Sequence, residues 1–414
     1  MSSIDQEGRR ELQRGWRLLV ACAVGVGFSA IALPFYSIGP LTKPVEAAMG
    51  WTRADIQLAI IFSSGIGALT APITGWMIDR FGPRAVALPS IVGVSLGLFI
   101  AARAASLSGF YLGYALAAIL GAGTNPVLWS RVIAGQFERA RGFALGLALV
   151  GTALVSIAMP YIVALLHSRL GWRHALDGLA MLPLLVSLPI VFFWLRPREH
   201  VAVKSSTESS GSSLPGLTVR QALTGYRFWV LGLSILAGYL AISGVLSNLV
   251  PALSDRGFDP VKAATIAGTV GFAMIPGRVL VGYLVDRFWA PGVAFAVVAM
   301  PAMSCLLFVN TDSEPLLFLA CALLGLAAGA ELDLLAFMAA RYFGLAHYSK
   351  IYALLYACLA VGSATAPFFF ASVHDASGSY DVAFLVSGGL FAVGGLLFLL
   401  LGRYPDLGGR WSAH

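Results

Sequence analysis

The chain has 414 residues, of which 58% are hydrophobic and only 11% charged, with a formal net charge of +7. Soluble globular domains carry about a quarter charged residues, so composition excludes that class. Apolar runs long enough for a ~30 Å hydrocarbon core, which takes roughly 20 helical residues, point to a polytopic helical membrane protein, and an outer-membrane barrel, whose strands alternate over ~10 residues, is excluded as well.

From the N-terminus, the first apolar run begins near Trp16 and is too long for a cleavable signal peptide, with no small-residue cleavage site. Twelve spans are expected, at 17–42, 55–79, 85–104, 108–136, 142–167, 174–195, 226–251, 261–286, 290–310, 314–341, 349–374 and 380–402. Pro34, Pro72, Pro126, Pro160, Pro276 and Pro367 fall inside spans and predict kinks, because neighbouring helices can satisfy the freed carbonyls. The loop from Arg196 to Tyr226 contains "KSSTESSGSS", a flexible polar tract. It divides the spans six and six: a helical bundle at 1–195, a cytoplasmic linker at 196–225 and a second bundle at 226–414.

Orientation follows from the basic residues. Nineteen of the 27 Lys and Arg lie with the termini and the even-numbered loops; seven lie on the opposite side, and the last, Arg278, lies within a span well away from its ends. That bias places both termini in the cytoplasm, in a cell inner (plasma) membrane. The net charge is thus a topology signal, with no nucleic-acid partner implied. Cys22, Cys305, Cys321 and Cys358 all lie in apolar runs without a close pair, so no disulfide framework, metal site or cofactor is expected.

Two segments repeat. "GWMIDRFGPR" (Gly75–Arg84) closes span 2, and "GYLVDRF" (Gly282–Phe288) closes span 8, 207 residues later. An offset of 206 aligns "GQF" (135–137) with "RYF" (341–343) and sets Asn125 opposite Glu331. Two parallel six-helix halves with a site near mid-membrane is a transporter plan.

The G-x-x-x-D-R-x-G-x-R pattern at Gly75–Arg84 resembles the hallmark loop between helices 2 and 3 of the major facilitator superfamily. "GWTRADIQLA" (50–59), "GQFERARGFALGLALVGTAL" (135–154), "RYFGLAHYSKIYALLYA" (341–357) and "HDASGSYDVAF" (374–384) resemble segments of its monocarboxylate-transporter-like and oxalate/formate-antiporter-like branch. The resemblance implies twelve transmembrane helices in two pseudo-symmetric bundles. Asp79 would meet a helix N-terminus or the basic pair Arg139 and Arg141, holding the cytoplasmic side shut with Arg80; the alternative is a plain interfacial charge cluster.

Arg278, Glu331 and Asp333 lie well inside spans. An ionisable group there costs about 2.5–3.5 kcal/mol and marks a functional site by default. Counted from the helix ends, all three lie about 12–15 Å deep. Arginine stays protonated and presents a planar fork that matches a carboxylate. In the resembling transporters the helix-8 arginine binds the substrate's carboxylate, and Arg278 matches it by span and by the "VGYLVDR" that follows. The alternative is a structural ion pair with Glu331 or Asp333. Two departures matter: Met274 stands where eukaryotic carriers place an aspartate, and helix 11 has its only lysine, Lys350, at the cytoplasmic mouth, where oxalate carriers use a more central one. One central cation suits a monocarboxylate.

Glu331, as the repeat partner of Asn125, is expected to face the cavity and accept a proton, since removal from water disfavours a carboxylate's charged form; Asp333 is the second candidate. Asn125 either binds substrate or ties carbonyls freed by Pro126. Tyr36 and Phe337 are expected to shape the cavity, and His347, Tyr352 and Tyr356 to gate it; packing, anchoring and plain solvation are the competing readings. The expected function is proton-coupled, alternating-access carriage of a small organic anion such as lactate or pyruvate, by a chain able to work as a monomer. Anion exchange, efflux of an amphipathic compound and solute sensing without flux are the rivals. No H-E-x-x-H or G-x-S-x-G motif supports an enzyme.

Overall fold

The computed structural model describes residues 6–137, 140–195, 216–285, 287–344 and 347–405. In chain order its helices are α1 (Gln6–Gly27), α2 (Ala32–Met49), α3 (Arg53–Ile60), α4 (Ile66–Phe81), α5 (Pro83–Ala102), α6 (Leu107–Leu120), α7 (Pro126–Ala134), α8 (Arg141–Leu170), α9 (Trp172–Leu182), α10 (Leu188–Trp194), α11 (Val219–Thr224), α12 (Tyr226–Asp255), α13 (Pro260–Val285), α14 (Ala290–Asn310), α15 (Glu314–Phe343), α16 (Tyr348–Ser377) and α17 (Asp381–Leu399). A single antiparallel bridge, Gly216 with Gly344, is the only β pairing among the described residues. Among those residues nine helical runs are long and apolar enough to cross a bilayer, or ten when the bent pair α1–α2 counts as one crossing; α6 is a shorter apolar helix.

Four runs expected as continuous spans are interrupted; the span at 174–195 passes through a π-helical turn at Pro183–Ser187 between α9 and α10, and for the other three the sequence supplies reasons. Between α1 and α2 the chain turns at residues 28–31 and bends by 43°. Pro34 lacks the N–H that would bond the carbonyl of Ala30, and its ring crowds that carbonyl, so the break falls one turn before the proline. Between α6 and α7, a 3₁₀ turn at Ala122–Thr124 leads to Asn125, which is extended (φ −68°, ψ 159°) as a residue before proline tends to be. Between α3 and α4, a π-helical turn at Ile61–Gly65 contains Ser63, whose hydroxyl donates back to the Ile60 carbonyl at 3.2 Å.

Packing divides the chain into two compact units. The first joins Met1–Val203 with Leu246–Phe272 and Pro367–Tyr380; the second joins Lys204–Val245, Ala273–Ala366 and Asp381–His414. The first unit is built around fully buried Leu33, Ile38, Phe110, Tyr114 and Leu176, with a further cluster about Trp129 and Phe137. Its α5 and α6 approach closely at small residues: a Cβ on Gly97 would lie 2.3 Å from the Ala117 nitrogen. In the second unit Ser304 donates to the Ala320 carbonyl at 2.7 Å, and Phe308 stacks on Phe384 at 5.0 Å. Outward positions are apolar, Leu69 being 78% and Phe193 71% exposed, as befits surfaces solvated by hydrocarbon.

Candidate functional site

Arg278 sits on α13, half-buried, in the second unit. Two glycines fix its mount. A Cβ on Gly277 would lie 2.2 Å from the Leu326 carbonyl oxygen, and one on Gly329 would lie 2.1 Å from that of Met274. Only glycines allow α13 and α15 this approach. The contact brings the Arg278 Nε to within 3.1 Å of the Gly329 carbonyl, to which it donates, and Nη1 is shielded from solvent. Glu331 lies two residues beyond Gly329 on the same helix, and its carboxylate accepts a hydrogen bond from the Tyr239 hydroxyl of α12. The helix-to-helix mount thus brings the cation and carboxylate singled out by the sequence onto one pair of packed helices. The side chains of Asp333 and Asp79 lie outside the described residues, as does Arg139.

Asn125 belongs to the first unit, 2% exposed, at the break between α6 and α7. Its Nδ2 donates to the Gly67 carbonyl of α4 at 3.4 Å, and its Oδ1 has no hydrogen-bond donor among the described residues. The amide therefore reaches a neighbouring helix, not the turn opened by Pro126. The two broken helices brace each other here. Thr124 Oγ1 accepts the Ala30 N–H at 2.9 Å and donates to the Gly121 carbonyl at 2.7 Å; Trp129 Nε1 donates to the Thr124 carbonyl at 2.7 Å. Backbone groups left open at the two breaks are thereby bonded by side chains.

The remaining predicted residues are spread over both units. Tyr36 packs edge-on against Phe35 at 5.2 Å and lines a small cavity of about 20 Å³ with Gly39, Ser156 and Pro160, room for a single water. Phe337 carries the Arg341 guanidinium 5.4 Å from its ring. Tyr352 stacks between Tyr348, at 5.6 Å, and Tyr356, at 6.3 Å, along one face of α16. His347 is exposed; Arg80 is exposed too, its guanidinium 5.5 Å from the Trp76 ring.

One constellation escaped sequence reasoning. Gly50 (φ 69°) ends α2 in the left-handed conformation that glycine tolerates, and Thr52 with Asp55 forms a capping box at the start of α3. This tight turn drives Arg53 inward, where it is 6% exposed. Arg53 grips Asp255 with both terminal nitrogens, Nη2 at 3.0 Å from Oδ1. Its Nε donates to Glu46 at 3.0 Å and its Nη1 to Tyr380 at 3.2 Å. Lys43 reaches Asp255 at 2.8 Å. Every member belongs to the first unit. The one available signal was the T-x-x-D cap, which sets position 53 at a helix start but names no partner.

The family model of the Major Facilitator Superfamily matches residues 19–343. The chain is 27% identical over 417 residues to Monocarboxylate transporter 11 of Homo sapiens, spanning 94% of this chain and 83% of that protein. It is 24% identical over 368 residues to Monocarboxylate transporter 13 of Rattus norvegicus, spanning 87% and 83%. The crystal structure of a point mutant of the nucleoside transporter NupG superposes with a TM-score of 0.75 over 93% of this chain and all of that one, at 15% identity, a likeness of fold alone. A match over most of the chain, transporters as relatives and an all-helical membrane fold lead to one conclusion: the chain belongs to the Major Facilitator Superfamily, in its monocarboxylate-transporter-like branch, and is a multi-pass membrane transporter, not an enzyme.

Proposed function

We propose that the protein carries a small organic anion, a monocarboxylate such as lactate or pyruvate, by proton-coupled alternating access. The observation that carries this reading is the mount of Arg278: a permanent cation within an apolar helix, anchored through Nε to a backbone carbonyl at a glycine crossing. A cation in that setting is costly and marks a functional site by default, and its planar fork is matched to a carboxylate. Glu331, hydrogen-bonded by Tyr239 on the helix packed against Arg278, is the proton carrier in this scheme. The monocarboxylate relatives support the substrate class. Counting each interrupted run as one crossing gives the proposed topology: twelve crossings in two six-helix bundles, 1–195 and 226–414, joined by the 196–225 linker. Both termini lie in the cytoplasm, and the protein sits in the cell membrane and functions as a monomer.

The test is uptake of labelled lactate into proteoliposomes, with and without an inward proton gradient, for wild type and Arg278→Ala. The reading requires gradient-driven uptake that the variant loses. Equal uptake by both proteins would make Arg278 structural and refute the mechanism.

A further inference from the structure

The Arg53 cluster contains a residue that the transport reading does not use. His374, near the end of α16, lies between two carboxylates: Nε2 is 3.4 Å from Asp255 Oδ2, and Nδ1 is 3.5 Å from Asp375 Oδ1. Its ring is tilted over Tyr380, centroids 4.4 Å apart, and its side chain is 13% exposed. Nδ1 is shielded from water and makes no hydrogen bond as it stands.

A neutral imidazole has one N–H and one acceptor nitrogen. With a carboxylate oxygen facing each nitrogen, either neutral tautomer sets a lone pair against an acceptor. Only the imidazolium can donate to both. The charges around it agree. Lys43 and Arg53 supply two positive charges, while Glu46, Asp255 and Asp375 supply three negative ones. A proton on His374 balances the cluster; Tyr380, the other titratable group against it, is neutral near pH 7. The partners come from chain segments far apart. Arg53 opens α3, Asp255 ends α12, and Asp375 also accepts the Ala54 N–H at 2.9 Å. Residues 246–272 and 367–380, which carry Asp255, His374 and Asp375, belong to the first unit.

We propose that His374 is a proton-binding site, separate from Glu331, whose protonation clamps this end of the first unit shut. The clamped form holds one more proton than the parted form. Clamping is therefore favoured as pH falls and lost as pH rises. The site senses the pH of the compartment that this end faces, whichever substrate is carried.

The experiment is pulsed dipolar spectroscopy on the full-length protein in liposomes, without substrate. Spin labels go on the exposed positions Ala48→Cys and Ala376→Cys, with the half-exposed native thiol removed as Cys358→Ser. The proposal requires the shorter-distance population to grow from pH 8 to pH 5.5, by up to about tenfold per pH unit for one linked proton. His374→Gln abolishes that response. Asp375→Asn leaves the Arg53–Asp255 pair intact and moves the transition to lower pH. Identical distributions at both pH values in the wild type would overturn the proposal. So would an unchanged response in His374→Gln or in Asp375→Asn.

Discussion

Arg53 and Arg278 are both inward-placed arginines, and they are held in different ways. Arg53 is held at a helix start by two carboxylates and a tyrosine, contributed by segments up to 327 residues away. Arg278 is mounted mid-helix, through Nε, on a carbonyl exposed by a glycine crossing 51 residues away. A guanidinium wrapped in carboxylates is a fastener, because removing it strands half-buried charges. A guanidinium fixed by its Nε to a neutral carbonyl is held in orientation, and orientation is what recognition of a planar anion needs. On the proposed function the two arginines divide holding from binding, and substitutions can break or sharpen that division.

The largest effect is expected at Arg278. Its truncation to alanine removes about 2–5 kcal/mol of anion binding, at least roughly thirtyfold in affinity, while Arg278→Lys keeps the charge, loses the fork and costs about tenfold. Equilibrium binding of labelled lactate reads both. Arg53→Ala comes next, acting on stability. Its partner Asp255 is 28% exposed, so screening trims the buried-pair figure of about 3–5 kcal/mol to about 2; thermal unfolding in detergent shows a lowered Tm with lactate affinity kept. Gly277→Ala tests the mount. Its Cβ meets a backbone oxygen that cannot turn aside, and overpacking of this kind costs about 1–3 kcal/mol; the signature is a raised lactate Kd with Arg278 still present. Glu331→Gln has the smallest effect on binding, within about threefold, yet it removes the gradient dependence of uptake while leaving lactate–lactate exchange intact. If Arg53→Ala impaired binding as severely as Arg278→Ala, the division would collapse.

The residues legible beforehand were those that break composition. An arginine and a glutamate inside twenty apolar residues stand out without any fold. The helix breaks were half legible: prolines at 34 and 126 announced trouble, but only the missing bond to residue i−4 places each break a turn earlier, and the mutual bracing of Ala30 and Thr124 is tertiary. The π-helical turn at 61–65 carried no proline of its own. The Arg53 cluster stayed hidden for a different reason. Charges at helix ends are ordinary, and nothing local ties Arg53 to Asp255, 202 residues on, or Ala54 to Asp375, 321 residues on. His374 is likewise, in the sequence, a histidine near a span end; only the fold sets two carboxylates around it.

The most direct measurement compares two ligands of nearly one shape, lactate and its neutral amide lactamide, by equilibrium binding to purified wild type and Arg278→Ala. Wild type should prefer the acid by well over tenfold, and the variant should bind acid and amide alike. An undiminished preference for the acid in Arg278→Ala would contradict the assignment of the carboxylate to Arg278.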